Sequence, residues 1–251
     1  MEMKQAMVPE TICAKSRPRT IYLARHGQSE SNREERISGQ ADPSLTEKGL
    51  RQAQRLATAL LNIPLTTILT STLRRSMETA RPIAESQGIA LCPLDALKEM
   101  SFGVLEGQLR GHLDHEPQYL LDQWTQDKLH FRIPGGESLL DVQKRVLPLL
   151  SHILEDNPEG TLLIVGHRHT NIVILSALMG WNVESLADVS IRSKYVYEIQ
   201  CTPTPCIYTI CLTGKERGMR TEGFLNEDGC MYASHDRQTW AGQPEHASFH
   251  Q

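Results

Sequence analysis

Two segments of this chain set a histidine beside an arginine where an apolar run stops. Arg25-His26-Gly27 follows Thr20-Ile21-Tyr22-Leu23-Ala24, and Gly166-His167-Arg168 follows Thr161-Leu162-Leu163-Ile164-Val165. A third run, Ile68-Leu69-Thr70, leads into Ser71-Thr72-Leu73-Arg74-Arg75. Histidine changes charge near neutrality, and guanidinium forks match the oxygens of a tetrahedral anion. Two histidines and two arginines brought face to face repel unless something negative lies between them, and a phosphate dianion is the natural occupant. Singly, each residue has a plainer account: a structural histidine at a strand end, or a solvated arginine face on a helix. Their recurrence at matching strand ends favours one shared anion site.

Such a site needs elements that deliver strand ends to a common edge. Leu50, Ala53, Leu56, Ala57, Leu60 and Leu61 share a helical face behind Thr46, a candidate N-cap. Residues 66–70 read as a second strand, 72–87 as a helix closed by Gly88, and 89–92 as a short third strand. Residues 108–130 read as mixed and helical, with Tyr119, Leu120, Leu121 and Trp124 on the apolar side. Pro134-Gly135-Gly136 breaks the chain, and Leu139, Val142, Val146, Leu149, Leu150 and Ile153 resume helical spacing with a kink expected at Pro148. A strand at 161–165 and a helix at 169–179 follow, and residues 195–212 read as two strands around Pro203 and Pro205. The alternation predicts an α/β fold, a three-layer α/β/α sandwich with a mostly parallel central sheet. In open sheets of this kind, sites lie beyond the carboxyl ends of the strands.

The 251 residues suit one large domain or two small ones, and the net charge of −4 gives no general attraction to nucleic acid or anionic membrane. No apolar run approaches the roughly 20 residues of a membrane span, and the first residues lack the apolar block of a secretory signal. The six cysteines show no CxxC spacing, which argues against a zinc ribbon. They read as reduced thiols of a cytoplasmic protein, although a hairpin could join two of Cys201, Cys206 and Cys211. The expected organisation is a flexible arm over 1–18, one domain over 19–225 and a disordered tail over 226–251, where Leu, Ile and Val are absent.

The motifs also carry a resemblance. Arg25-His26-Gly27, Asn32 and the run from Gly39 to Gly49 resemble the opening of the histidine phosphatase superfamily, also called the phosphoglycerate-mutase-like or RHG family. Ser71-Thr72-Leu73-Arg74-Arg75-Ser76 with Thr79-Ala80 is similar to its second arginine motif, and the run from Leu97 to Gly107 to its acidic motif. Pro134-Gly135-Gly136-Glu137-Ser138 and Val165-Gly166-His167 complete an ordered set over residues 20 to about 182. The resemblance implies a histidine acid phosphatase-type phosphomonoesterase that needs no metal or other cofactor and works through a phosphohistidine. His26 would be the nucleophile; Arg25, Arg75 and His167 would hold the equatorial oxygens; Glu99, in a desolvated pocket, would keep a proton near neutrality and act as general acid. The motif register favours Arg75 over Arg74, and Glu106 is ranked as structural. Asn32, Ser38 and Gly39 would line the substrate. Arg168 stands where the family commonly has glycine, and either binds a second acidic group or points into solvent. Residues 100–136 would cap the site as a helical insertion and set specificity.

The expected partner is a small phosphorylated metabolite, with no nucleic acid and no membrane. Oligomeric state stays open, a dimer included. The alternatives are a phosphoglycerate mutase-type transfer and a non-catalytic phosphometabolite-binding protein. The 68 residues between Glu99 and His167 are similar to the shorter phosphatase branch rather than to mutases with a long insertion. His167-Arg168-His169 is also a spacing used by metal enzymes, but no further acidic ligand is evident nearby.

Overall fold

The computed structural model describes residues 11–15, 19–156, 159–225 and 231–232. Its centre is a seven-stranded sheet built from β1 (Arg19–Arg25), β2 (Thr67–Ser71), β3 (Leu91–Leu94), β4 (Thr161–Gly166), β5 (Tyr195–Cys201), β6 (Cys206–Cys211) and β7 (Arg220–Glu222), in the order β3-β2-β4-β1-β5-β6-β7. The helices are α1 (Glu30–Arg33), α2 (Glu47–Leu60), α3 (Arg74–Gln87), α4 (His115–Gln126), α5 (Leu139–Asp156), α6 (Arg168–Met179) and α7 (Val183–Leu186). Strand alternation explains the three layers. Ile21, Leu23, Leu69 and Ile164 meet Val142, Val146, Leu150 and Ile172 of α5 and α6 on one face. Tyr22, Ala24, Ile68 and Val165 meet Leu56, Leu60, Ala80 and Ile83 of α2 and α3 on the other.

Half of the sheet departs from the parallel expectation. β3, β2, β4 and β1 are parallel, whereas β1–β5, β5–β6 and β6–β7 pair antiparallel. The connections give the reason. Helices lie between the parallel strands, but only the short turn holding Pro203 and Pro205 separates β5 from β6, and a link that short permits only a hairpin. β3 starts at Leu91 rather than residue 89, because Gly88 adopts a left-handed φ of 66° and Ile89 N–H still bonds Ala84 C=O at 3.0 Å, completing the end of α3. α5 runs unbroken through Pro148. In α4, Leu121 and Trp124 are buried but Tyr119 is exposed, so the apolar side is narrower than the spacing implied.

The N-terminal segment is docked over the part described. Ile12–Lys15 forms a short 3-10 turn, Thr11 Oγ1 donates to Leu178 C=O at 2.7 Å, and Cys13 lies in the core. Cys13 is joined to Cys201 in a disulfide, which corrects the expectation of reduced thiols and of a pairing within residues 201–211. The rest of the proposed arm lies outside the described residues. So does the proposed tail, except Met231–Tyr232 (β9), which pairs with Phe224–Leu225 (β8). Among the described residues no helix is long and apolar enough to cross a membrane.

Candidate active site

β1 and β4 are neighbours in parallel register, with Arg25 opposite Gly166, so His26 and His167 emerge side by side at the carboxyl edge. Their rings are 5.0 Å apart between centroids. Gly27 must be glycine here, because a Cβ would stand 2.6 Å from the Gly49 carbonyl oxygen at the start of α2. Its N–H donates to Thr79 Oγ1 at 2.9 Å, which ties the turn after β1 to α3. Asn171 in α6 adds a tie to β1 by donating to Ala24 C=O at 2.9 Å.

His26 Nδ1 lies 2.7 Å from the Gly27 carbonyl oxygen. A carbonyl only accepts, so Nδ1 carries the hydrogen and Nε2 keeps its lone pair. Burial, then His167, Arg75 and Arg25, hold the His26 pKa well below its ordinary value, against a smaller opposing effect of the Gly27 carbonyl. His167 Nε2 sits 2.7 Å from Ser71 Oγ, which already accepts the Leu73 N–H at 3.2 Å. The Ser71 hydroxyl hydrogen is therefore free to point at Nε2, leaving Nδ1–H as a buried donor without a protein partner.

Arg75 is 1% exposed, and its guanidinium donates to Ala41 C=O at 2.6 Å and Gly39 C=O at 2.8 Å while Nε stays unpaired. Arg74, by contrast, lies at the surface and pairs with Glu78 at 2.7 Å. The loop that fixes Arg75 is held by Glu106, whose carboxylate accepts from the N–H groups of Gln40, Ala41 and Phe102 at 2.9–3.0 Å. Gly39 has φ +48°, and a Cβ there would strike Glu106 Oε1 at 2.1 Å. Arg25 donates to Ile191 C=O at 2.9 Å, and burial, with Arg168, Arg75 and Arg192 nearby and against Glu99, brings its pKa down to about 10.

Glu99 differs from the sequence expectation. Its carboxylate accepts from Met100 N–H at 2.9 Å, Arg168 N–H at 3.0 Å and His169 N–H at 3.1 Å, capping the N-terminus of α6. Burial pushes its pKa up, but His169, His167 and the Met100 N–H together outweigh burial and hold it well below the usual carboxylate range. Glu99 is ionised in this setting, because three backbone donors satisfy the anion and none needs the acid form.

The remaining candidates are placed as follows. Asn32 shares a capping box with Ser29, so its carboxamide oxygen is committed to α1 and its NH2 is left to donate. Ser38 Oγ is buried without a partner. The Arg168 guanidinium donates to Asp188 C=O at 3.1 Å and Val189 C=O at 3.3 Å, within electrostatic reach of both Arg25 and Arg110. His167 and His169 both precede or open α6 but face different partners: Ser71 and His26 for the first, Glu99, Phe102 and Trp124 for the second. Among the described residues no group of three His, Cys, Asp or Glu side chains could hold a metal.

Sequence reasoning missed Arg145. It donates to the carbonyls of Ala96, Lys98 and Glu99 and forms an ion pair with Glu137 at 2.8 Å, fixing the segment that presents Glu99. Its only signal was the Glu137 of the Pro-Gly-Gly-Glu-Ser run, a carboxylate needing a cation one or two turns into α5.

The buried histidines predict acid sensitivity. Burial first, with neighbouring charges, lowers the pKa of His26, His167 and His169 from 6.5. The unfolded chain then binds more protons, so stability is present above about pH 6.5 and is lost as pH falls toward the folded values, with a limiting slope of about 4 kcal/mol per pH unit for three groups. Urea midpoints between pH 7.5 and 5 should fall steeply; a flat profile would contradict neutral burial of these rings.

A family model described as histidine phosphatase superfamily (branch 1) matches residues 21–207. The chain is 35% identical over 185 residues to a probable phosphoglycerate mutase GpmB of Yersinia pestis, covering 74% of this chain and 86% of that protein. It is similar in structure to a mycobacterial glucosyl-3-phosphoglycerate phosphatase, with TM-score 0.66, 25% identity and coverage of 73% of this chain and 91% of the other. The alpha-ribazole phosphatase from Shigella flexneri gives TM-score 0.68 and 25% identity over 83% of this chain and 96% of its own.

Proposed function

The chain belongs to the histidine phosphatase superfamily, branch 1, and from that premise we propose that it is a metal-independent phosphomonoesterase acting on small phosphorylated metabolites through a phosphohistidine on His26. The observation that carries this reading is the His26 ring: Nδ1 bound to the Gly27 carbonyl, Nε2 free, and the imidazole kept neutral among cationic neighbours. A nucleophile must present a lone pair at working pH, and this one does. Arg25, Arg75 and the His167 Nδ1–H supply the donors that stabilise charge on the transferring phosphoryl group.

The ionised Glu99 divides the reaction into two proton tasks. A bound phosphate monoester monoanion, with a second pKa near 6, brings the proton that the leaving oxygen needs, and Glu99 relays it. In the second step the carboxylate is already in the form that accepts a proton from the attacking water. The mutase alternative is favoured by one finding, the relative named as a probable phosphoglycerate mutase. Phosphate release and phosphoglycerate interconversion measured side by side, with chelator present, separate the two. Interconversion far faster than release would overturn the hydrolase reading.

Arg168 supports a substrate with a second anionic group. Arg168→Gly should raise KM about tenfold for a phosphorylated acid. Its effect on an aryl phosphate lacking that group should be under twofold. Equal effects on both would remove Arg168 from substrate recognition.

A further inference from the structure

His169 is a buried titratable residue for which the reaction above has no use. It is 5% exposed, and its ring stands edge-on to Phe102 and to Trp124, each at 5.6 Å between centroids. Its Nδ1 is 3.5 Å from Glu99 Oε2, too long for a good hydrogen bond. Three buried polar atoms in this cluster lack partners: His169 Nδ1, His169 Nε2 and Trp124 Nε1. Burying such an atom unpaired is costly, so three of them on two neighbouring rings point to a pairing that this conformation has not completed.

The inventory admits one arrangement that satisfies all three. Indole Nε1–H is only a donor, so it pairs with a bare His169 Nε2. His169 Nδ1 must then carry the hydrogen and donate it to Glu99, which as a carboxylate only accepts. We infer that Trp124, His169 and Glu99 form a hydrogen-bonded chain in which His169 is a positioning residue, aiming the Glu99 carboxylate and linking it to the cap helix α4.

The electrostatic setting agrees with a neutral ring. Burial lowers the His169 pKa, opposed by Glu99, with Arg168 and Arg25 adding to the lowering. His167 faces Glu99 from its other side, and Lys128 stacks 5.3 Å over the Trp124 ring. This role rests on the proposed phosphomonoesterase reading, in which Glu99 handles the leaving-group proton.

The test has two readouts. Nitrogen-labelled histidine NMR of the full chain reports the tautomer without any turnover, and the expected His169 state is neutral with hydrogen on Nδ1, shifting toward a tautomer mixture in Trp124→Phe. An imidazolium or an Nε2–H tautomer in the wild type overturns the chain outright. Kinetics compare an alkyl phosphate, whose leaving group needs a proton, with p-nitrophenyl phosphate, whose leaving group does not. Trp124→Phe and His169→Gln should lower kcat/KM, which ends at departure of the leaving group, by about tenfold or more for the alkyl ester, part of the 10²–10⁴ that a placed acid supplies. For p-nitrophenyl phosphate kcat/KM should change little, since its leaving group needs no proton, whereas kcat for both esters carries any loss in the shared water step; the acid limb of the alkyl-ester profile should move. Parallel losses of kcat/KM on both esters would mark a merely structural role and overturn the inference. A wild type with the expected tautomer but no phosphate release would sink the phosphatase reading instead, and with it the catalytic purpose of the chain.

Discussion

On the proposed mechanism, His26→Ala lowers phosphate release by roughly 10⁴-fold or more, because it removes the atom that would carry the phosphoryl group between the two steps. The expected loss is confined to chemistry. Arg25, Arg75 and His167 remain on their own carbonyl and hydroxyl partners, so inorganic phosphate should bind the variant with an affinity within a fewfold of wild type. The proposed intermediate is a phosphoramidate, stable in alkali and lost in acid. Wild type quenched in alkali during turnover should carry labelled phosphate, His26→Ala none, and His167→Ala a reduced amount at the same ring. Label retained by His26→Ala would move the nucleophile elsewhere.

Arg145→Ala should give the largest loss from a residue that touches no substrate. One guanidinium holds the carbonyls of Ala96, Lys98 and Glu99 and pairs with Glu137. Deleting it leaves three carbonyls and a half-buried carboxylate without their cation, a cost of about 3 kcal/mol at the low end for broken ion pairs of limited exposure. Glu99 then loses its register against α6. We expect kcat to fall about 100-fold with phosphate affinity nearly unchanged, read from turnover and from calorimetric phosphate titration. Arg145→Lys should rescue little, because a point charge cannot reach carbonyls and carboxylate together. Full activity in Arg145→Ala would show that Glu99 is positioned from α6 alone.

The parts legible in the sequence were those written in local pattern. β1 and β4 are central parallel strands buried on both faces, and such strands read as unbroken apolar runs. Thr46 stood out as a cap because its hydroxyl meets Gly49 three residues on. Arg75 was separated from Arg74 by register, and the structure puts one inside and the other at the surface. What stayed hidden depended on distant partners. The low pKa of Glu99 owes most to His169 and His167, near 70 positions away, whose segment also donates two N–H groups to it. Cys13 meets Cys201 across the whole domain. Trp124 read as core, and His169 as the start of a helix and half of a His-x-His spacing; nothing in the sequence joined the two, because 45 positions separate them. β7 is three residues of Arg-Thr-Glu and has no apolar alternation to announce it.

The position of β1 in the sheet has a consequence for biosynthesis. It is the first strand of the sheet to leave the ribosome, yet its parallel partner pairs Thr20 with Thr161 and its antiparallel partner pairs it with residues 196–201. At about 5–20 residues per second, roughly 7–30 seconds pass before either neighbour exists. The strand that leads into His26 is therefore an apolar segment with two open edges throughout most of translation. In a nascent chain arrested before residue 161, it is the segment a chaperone would hold.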